Sequence, residues 1–263
     1  MTMLFSVALL FSLALISAFL PESFRKLRGW ILSFGLGSLF LYFLSRVPMV
    51  SNQQVSVESF DWMPGLGISF GFYLDGLSIL FALLVLGIGT FIFIYANDYM
   101  KSYTHTRRFY FFMLFFTASM LGLVFSANLL VLFLFWELTS VSSFFLIGFF
   151  HHKAEARKAA IQSFLITGIG GLSLLAGIIL LRQVTGSFDL LEIVLKKETI
   201  LNSQHYLTIL ILFLGGVFTK SAQFPFHFWL PGAMQAPSPV SAFLHSATMV
   251  KAGIFLLFRI SPF

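Results

Sequence analysis

The sequence contains no cysteine and few charged residues. Only 10% of its 263 residues are Asp, Glu, Lys or Arg, whereas a soluble domain has about 25%. The absence of cysteine excludes disulfides, thiolate metal sites and iron–sulfur ligation. The shortage of charge, combined with 58% hydrophobic residues, excludes an ordinary soluble domain, a disordered chain and a nucleic-acid-binding protein. The composition therefore predicts an integral membrane protein in a lipid bilayer.

Eight stretches are apolar and long enough to cross a bilayer, which takes about 20 residues. They cover residues 3–20, 30–44, 72–95, 109–126, 128–150, 159–181, 207–224 and 241–260. Basic residues follow the first stretch and none precedes it, so we expect a retained span, not a cleaved signal peptide. Alternation of valine with polar residues within segment 45–69 predicts a short β-hairpin. The sequence thus predicts an all-α membrane protein, with residues 1–263 forming a single transmembrane domain.

Basic residues are unevenly distributed between the two sides of the predicted bundle. The connections on one side contain nine Lys and Arg residues, against five on the other side. Because Lys and Arg near span ends are enriched on the cytoplasmic side, the first side is predicted to be cytoplasmic. Both termini, together with segments 45–69 and 182–206, are then predicted to face outside.

Four ionisable residues remain at the ends of spans or inside them: Asp75, Glu137, Lys220 and Lys251. A charge at the bilayer centre costs roughly 2.5–3.5 kcal/mol, so each needs a specific reason to be there. Asp75 opens the third span, where an acid favours the helix dipole without any further role. Glu137 lies about ten residues from either end of its span, which places it near the bilayer midplane.

Lys220 directly precedes a proline-rich segment. Four of the eight prolines fall within fifteen residues: Pro225, Pro231, Pro237 and Pro239. Because proline breaks helices, we expect a discontinuous seventh helix, and broken helices mark translocation sites in transporters. Glu137 and Lys220 can alter each other's proton affinity through their charges. A permanent structural ion pair is the alternative.

Two further basic side chains lie in the last predicted span. His245 and Lys251 are six residues apart, about 9 Å along a helix, so water would have to bridge them. Histidine titrates near neutral pH, which suits a proton relay, but a lone membrane histidine is equally often a packing residue. His227, just after the break, and Asp75 are secondary candidates. No metal-ligand spacing or cofactor motif is present, so neither a metal nor a cofactor is predicted.

Residues 219–231, Thr-Lys-Ser-Ala-Gln-Phe-Pro-Phe-His-Phe-Trp-Leu-Pro, resemble the seventh-helix signature of the antiporter-like subunits. That family comprises Mrp-type cation/proton antiporters, respiratory complex I (NADH:quinone oxidoreductase) and membrane-bound hydrogenases. Segments 236–253, 75–78 and 136–138 are similar to other family positions. Lys251 and the Phe-His-Phe triplet at 226–228 are more similar to the large A subunit of Mrp antiporters than to the complex I counterpart.

The resemblance implies a 14-helix fold, of which this chain supplies an N-terminal portion with residues 70–263 as an incomplete translocating core. It implies that Glu137 and Lys220 form a coupled pair and that His245 and Lys251 relay protons from Lys220. It also implies a subunit of a multisubunit Na⁺/H⁺ antiporter in a bacterial cell membrane, exchanging protons for Na⁺ or another monovalent cation. The other antiporter or respiratory subunits would be its partners, and no catalysis by the chain itself is expected. The alternatives are a proton-pumping subunit of complex I or a hydrogenase, and an inactive truncated remnant.

Overall fold

The structure, a computed structural model, describes residues 2–21, 24–52, 54–63 and 68–261. Its larger helices are α1 Thr2–Phe19, α2 Arg25–Leu44, α4 Gly76–Tyr99, α5 Thr106–Phe125, α6 Leu129–Ile147, α7 Ala154–Thr185, α10 Tyr206–Lys220 and α13 Met249–Ile260. Shorter elements connect them: α3 Val47–Ser51, β1 Ser56–Met63, β2 Ile68–Leu74, α8 Leu190–Leu195, α9 Lys197–Leu201, α11 Trp229–Ala233 and α12 Ser238–Ala242.

Seven helical segments within the described residues are apolar and long enough to cross a membrane. Five of them contain α1, α4, α5, α6 and α7. The other two are Leu27–Ser51, which covers most of α2 and all of α3, and Ser238–Ile260, which contains α12 and α13. The remaining predicted span corresponds to α10, which has only 15 residues. At 1.5 Å per residue α10 is about 22 Å long, shorter than a hydrocarbon core of about 30 Å. The predicted all-α membrane fold with a discontinuous seventh helix is confirmed.

Three predicted span boundaries are wrong. The third span does not begin at residue 72, because Ile68–Leu74 forms β2 and the helix starts at Gly76. A short apolar run is compatible with strand or helix, and the aromatic residues of this run favour the strand. Helix α2 begins at Arg25 and not at residue 30, and α7 begins at Ala154 and not at residue 159. The prediction places the basic residues of these first helical turns in the connections.

The predicted hairpin is present, and its turn lies outside the described residues. Strands β1 and β2 are antiparallel, with Phe60 opposite Phe70. The Gly71 carbonyl of β2 accepts a hydrogen bond from the Ala127 amide at 2.9 Å, and the Ala127 carbonyl accepts one from the Leu190 amide at 2.8 Å. The hairpin, the α5–α6 turn and the start of α8 therefore meet on one side, the hairpin face. The opposite side, where α2, α5 and α7 begin, is the basic face.

Glu58 of β1 joins the hairpin to the start of α1. Its carboxylate accepts hydrogen bonds from the backbone N–H groups of Met3 and Leu4, each at 3.2 Å. Burial alone would raise the pKa of Glu58, but these hydrogen bonds hold that pKa below its usual value. The negative carboxylate also complements the positive end of the α1 dipole. Glu58 is thus an N-terminal cap supplied from a distant strand.

Glu58→Gln is expected to loosen the contact between the hairpin and α1 at neutral pH, by about 1 kcal/mol, the usual cost of losing a helix cap. Because the folded-state pKa is lowered, the stabilisation is present above the ordinary carboxyl pKa and is lost as pH falls through the folded-state value. Hydrogen exchange of the Met3 and Leu4 amides measures this. Glu192→Gln, at an exposed acid of α8 on the same face, is the control. Equal protection in both variants would refute the cap.

Candidate functional site

Helix α10 ends inside the bundle, directly at Lys220. A single turn of tight helix at Phe226–Phe228 follows, and then α11 begins at Trp229. The last carbonyls of a helix have no partner within it, and at membrane depth each needs one from elsewhere. The indole N–H of Trp229 donates to the Thr219 carbonyl at 2.9 Å. The chain after the break therefore folds back and completes the end of α10.

The Lys220 side chain is fully buried. Its ammonium donates to the Trp136 carbonyl at 3.0 Å and to the Ser140 hydroxyl at 2.7 Å, both on α6. Its Nζ also lies 5.2 Å from the centre of the Trp136 ring, a distance at which a cation is attracted to the ring face. The carbonyl end of α10 adds partial negative charge. Neutral groups and dipoles thus stabilise this ammonium.

Glu137 extends from the middle of α6 toward α7. Its Oε1 is buried and has no hydrogen-bond partner among the described residues. A Cβ atom placed on Gly171 of α7 would overlap this oxygen, so the carboxylate fits only because Gly171 has no side chain. Lys220 and Glu137 interact electrostatically, although the ammonium donates to α6 backbone and hydroxyl groups and not to the carboxylate. The two charges are therefore neighbours without a direct ion pair in the described structure.

Hydroxyl groups continue from this pair along the buried face of α7. Thr167 and Ser163 lie one and two turns before Gly171 on that face. Thr167 Oγ1 donates to the Ser163 carbonyl at 2.9 Å. The Ser163 hydroxyl is buried and has no partner within the described residues. Both positions lie between Gly171 and the start of α7, which is on the basic face.

Helix α6 also has hydroxyl side chains between the central pair and the basic face. Ser140 contacts Lys220, and one turn later Ser143 donates to the Ser140 carbonyl at 2.8 Å, again toward the basic face. Residues 129–136, which lead from Glu137 to the hairpin face, are all apolar. Beyond the Glu137–Lys220 pair, hydroxyl side chains of α6 and α7 therefore lie toward the basic face, and α6 has none between Glu137 and Leu129 on the way to the hairpin face.

His245 lies in a wide helical turn, the π-helix Phe243–Ala247, between α12 and α13. Both of its ring nitrogens are buried and have no hydrogen-bond partner in the described part of the chain. The centre of its ring is 6.3 Å from that of Trp229, the residue that completes α10. Single π-helical turns occur frequently at functional sites, and no feature of the sequence predicts this one.

Lys251 follows directly after a contact between α13 and the end of α10. The Ser221 hydroxyl donates to the Val250 carbonyl at 2.7 Å, and a Cβ atom on Gly253 would overlap this hydroxyl. The Lys251 side chain is half-buried. His245 and Lys251 are therefore both close to the α10 break. His245 lies beside Trp229, and Lys251 follows Val250, which accepts the hydrogen bond from Ser221.

The two secondary candidates lie outside this cluster. His227 is exposed, and its ring stacks on Phe224 with 5.9 Å between ring centres. Asp75 is on the hairpin face, where it caps α4 by accepting from the Ser78 amide at 2.8 Å. It also binds the Arg259 guanidinium through two bonds of 2.7 and 3.1 Å. Burial would raise the pKa of Asp75, but Arg259 and Ser78 hold it below its usual value.

Two buried arginines were missed because they were counted as charges of the connections. Arg259 lies on the last turn of α13 and binds Asp75. Arg28 of α2 is fully buried and donates to the Thr106 hydroxyl and to the Leu20 carbonyl, each at 3.2 Å. The predicted span 241–260 includes Arg259, so the signal was present in the sequence. The first turn of α2 lies before the predicted start of its span, so Arg28 had no comparable signal.

Comparison with known proteins assigns the family. Residues 126–263 match the family described as "NADH:quinone oxidoreductase/Mrp antiporter, TM". The chain belongs to this family. Residues 62–110 of this Mrp antiporter-related chain also match "NADH-Ubiquinone oxidoreductase (complex I), chain 5 N-terminus". The resemblance that the sequence motifs indicated is therefore confirmed.

Individual relatives support the same family assignment. The A subunit of a Na⁺/H⁺ antiporter of Alkalihalophilus pseudofirmus is 45% identical over 96% of this chain and 32% of its own length. The A/B subunit of a "Probable K(+)/H(+) antiporter" of Rhizobium meliloti is 45% identical over 96% of this chain and 25% of its own length. A chain in the solved "Structure of Mrp complex from Dietzia sp. DQ12-45-1b" superposes with a TM-score of 0.90 at 40% identity, over 98% of this chain and 28% of that one.

This family member spans between a quarter and a third of the length of these curated relatives. It corresponds to the N-terminal part of the antiporter-like subunit in the Mrp complex. Its apolar helices and its family together make it a multi-pass membrane protein.

Proposed function

We propose that this chain translocates protons as the N-terminal part of the large subunit of a multisubunit cation/proton antiporter, with residues 70–263 as its translocating core. The observation that supports this most is Lys220, a fully buried ammonium at the end of a broken helix beside Glu137. Ionisable groups at membrane depth are costly and mark ion and proton pathways. The names of the relatives support antiport over a redox pump.

The pair couples proton arrival to proton release through charge. A proton that reaches Glu137 neutralises its carboxylate and removes the attraction that stabilises the ammonium of Lys220. Lys220 can then release a proton to the next acceptor. His245, with two ring nitrogens that lack partners among the described residues, and Lys251, beyond the Ser221 contact, are the acceptors we propose. Water bridges the gaps, because His245 and Lys251 are too far apart along the helix to touch.

Protons reach the pair from the basic face in this proposal. Ser143 and Ser140 of α6 and Ser163 and Thr167 of α7 supply hydroxyl groups in that direction. The apolar residues 129–136 block the direct route from the hairpin face along α6. Water molecules along this path would give these buried hydroxyls the hydrogen-bond partners that polar groups need at membrane depth.

The function is tested in everted membrane vesicles that contain the complex assembled with this chain. A pH gradient is generated by respiration, and its collapse is followed with a pH-sensitive dye after addition of Na⁺ or K⁺. Antiport predicts collapse on addition of at least one of these cations, and the cation that works identifies the substrate. Failure of both cations to collapse the gradient, together with donor-driven proton uptake that is present only in vesicles containing the complex, would instead support the redox-pump alternative.

We also propose that the membrane is the bacterial cell membrane, with the basic face cytoplasmic and both termini outside. The chain has no cysteine, so single-cysteine variants report one position each. Ser51→Cys and Asn202→Cys, both exposed on the hairpin face, should react with an impermeant maleimide in intact cells. Lys158→Cys, exposed on the basic face, should react only in everted vesicles. The reverse pattern would overturn this orientation.

A further inference from the structure

Two adjoining cavities lie on the outer side of α2 and α4. One, of about 480 Å³, is on the basic face and is lined by five polar or charged residues together with Trp30 and Met100. The other, of about 540 Å³, is an apolar groove between α2 and α4. The side chain of Trp30 lines both cavities. The two cavities therefore adjoin at Trp30, and tryptophan side chains are enriched at membrane–water interfaces.

The polar cavity is positively charged. Arg25 and Lys101 line it together with Asn97, Thr106 and Tyr110. Arg25 donates to the carbonyls of Lys101 and Tyr103, which holds the guanidinium at the rim. The Lys101 side chain is 59% exposed and pairs with Asp98, itself a mostly exposed acid.

The apolar groove has the length of one leaflet. It runs from Trp30 past Phe34 and Gly37 to Leu41 on α2, with α4 as its other wall. The eleven helical steps from Trp30 to Leu41 correspond to about 16 Å, and half of a hydrocarbon core is about 15 Å. A Cβ atom on Gly37 would only touch Thr90, at 3.5 Å, so the absence of a side chain there leaves the groove open.

We propose that the two cavities form one binding site for an anionic glycerophospholipid. Its phosphate binds between Arg25 and Lys101, its glycerol backbone lies beside Trp30, and one acyl chain fills the groove. Basic pockets at the ends of transmembrane helices attract anionic head groups. A transmembrane helix packed along α2 and α4 would leave the basic cavity without an anion, whereas a lipid fills the groove and supplies the anion in one molecule.

The test uses the full chain in phosphatidylcholine nanodiscs with a small fixed fraction of phosphatidylglycerol brominated on its acyl chains. Bromine quenches nearby tryptophans, and the Trp30→Phe variant isolates the contribution of Trp30. We expect stronger quenching of Trp30 by brominated phosphatidylglycerol than by the same fraction of brominated phosphatidylcholine. Lys101→Gln should weaken the apparent affinity about fivefold, and Asp98→Asn should strengthen it by a similar factor. Opposite effects at neighbouring exposed residues cannot arise from a general loss of folding.

Two controls separate the head group from the acyl chain. Lys158→Gln removes an exposed basic residue elsewhere on the basic face and should leave the affinity unchanged. Gly37→Leu fills the groove and should abolish the quenching, whereas Gly35→Leu, which faces the neighbouring cavity between α1 and α2, should not. Equal quenching by the two lipids, no quenching of Trp30 because polypeptide covers the groove, or displacement of the lipid by free glycerol phosphate would each overturn the proposal.

Discussion

Lys220→Ala is expected to abolish cation-dependent proton movement in everted vesicles. The substitution removes the ammonium that binds the Trp136 carbonyl and the Ser140 hydroxyl. It also leaves Glu137 as an uncompensated charge at membrane depth, where an unpaired charge is costly. Loss of a positioned proton donor or acceptor reduces rates by a factor of about 100 or more, so the cation-induced collapse of the pH gradient should fall to background.

The Glu137→Gln/Lys220→Ala double variant separates transport from assembly. Because the second substitution removes the charge that the first one leaves unbalanced, the double variant should assemble no worse than Lys220→Ala, measured as the amount of complex in the membrane. It should still be inactive. Lys158→Ala, at an exposed lysine of α7, is the control for loss of one positive charge. Normal flux in Lys220→Ala, or assembly defects that simply add, would contradict the coupling.

Gly171→Ala is expected to impair transport almost as strongly, although it removes no charge. The new methyl group would overlap Glu137 Oε1, so either the carboxylate or α7 must move. Overpacking of a well-packed interior costs about 1–3 kcal/mol, and a shift of the carboxylate also alters its distance from Lys220. We expect cation-dependent flux to fall about tenfold or more in the same vesicle assay, with near-normal amounts of complex.

Gly168→Ala is the matched control for this prediction. Gly168 is on the same helix, three residues earlier, and a Cβ atom there would meet nothing within 4 Å. Any general effect of replacing glycine by a better helix former is the same at both positions. If both variants transport normally, the close approach of α7 to Glu137 has no role in translocation.

The crossing segments and the break after Lys220 could be predicted from the sequence, because they depend on hydropathy and on proline. Eight apolar runs correspond to seven crossing helices and the shorter α10 within the described residues. The position of the break follows from the proline cluster, since each proline removes a backbone donor. Charges at helix ends were harder to place: Arg28 and Arg259 lie on helices and are buried, although both were counted with the connections.

Contacts between helices could not be predicted, because they depend on how each helix is rotated. Helices α6 and α7 are largely apolar on all sides, so hydropathy does not show which face packs inward. That Lys220 binds neutral groups of α6, and that Gly171 is the glycine beneath Glu137, therefore emerged only from the structure. The π-helical turn at His245 depends on packing around it and has no sequence signal.

The bonds at the hairpin face have a mechanical consequence. Glu58 ties the hairpin to α1, Gly71 ties it to the α5–α6 turn, and Asp75 ties α4 to α13. These ties fix five elements to one another at a single end of the bundle. Lys220 at the end of α10 and Met249 at the start of α13 lie away from these bonds. A rearrangement that follows a change in the charge of the central pair is therefore least restrained at the interrupted ends of α10 and α13.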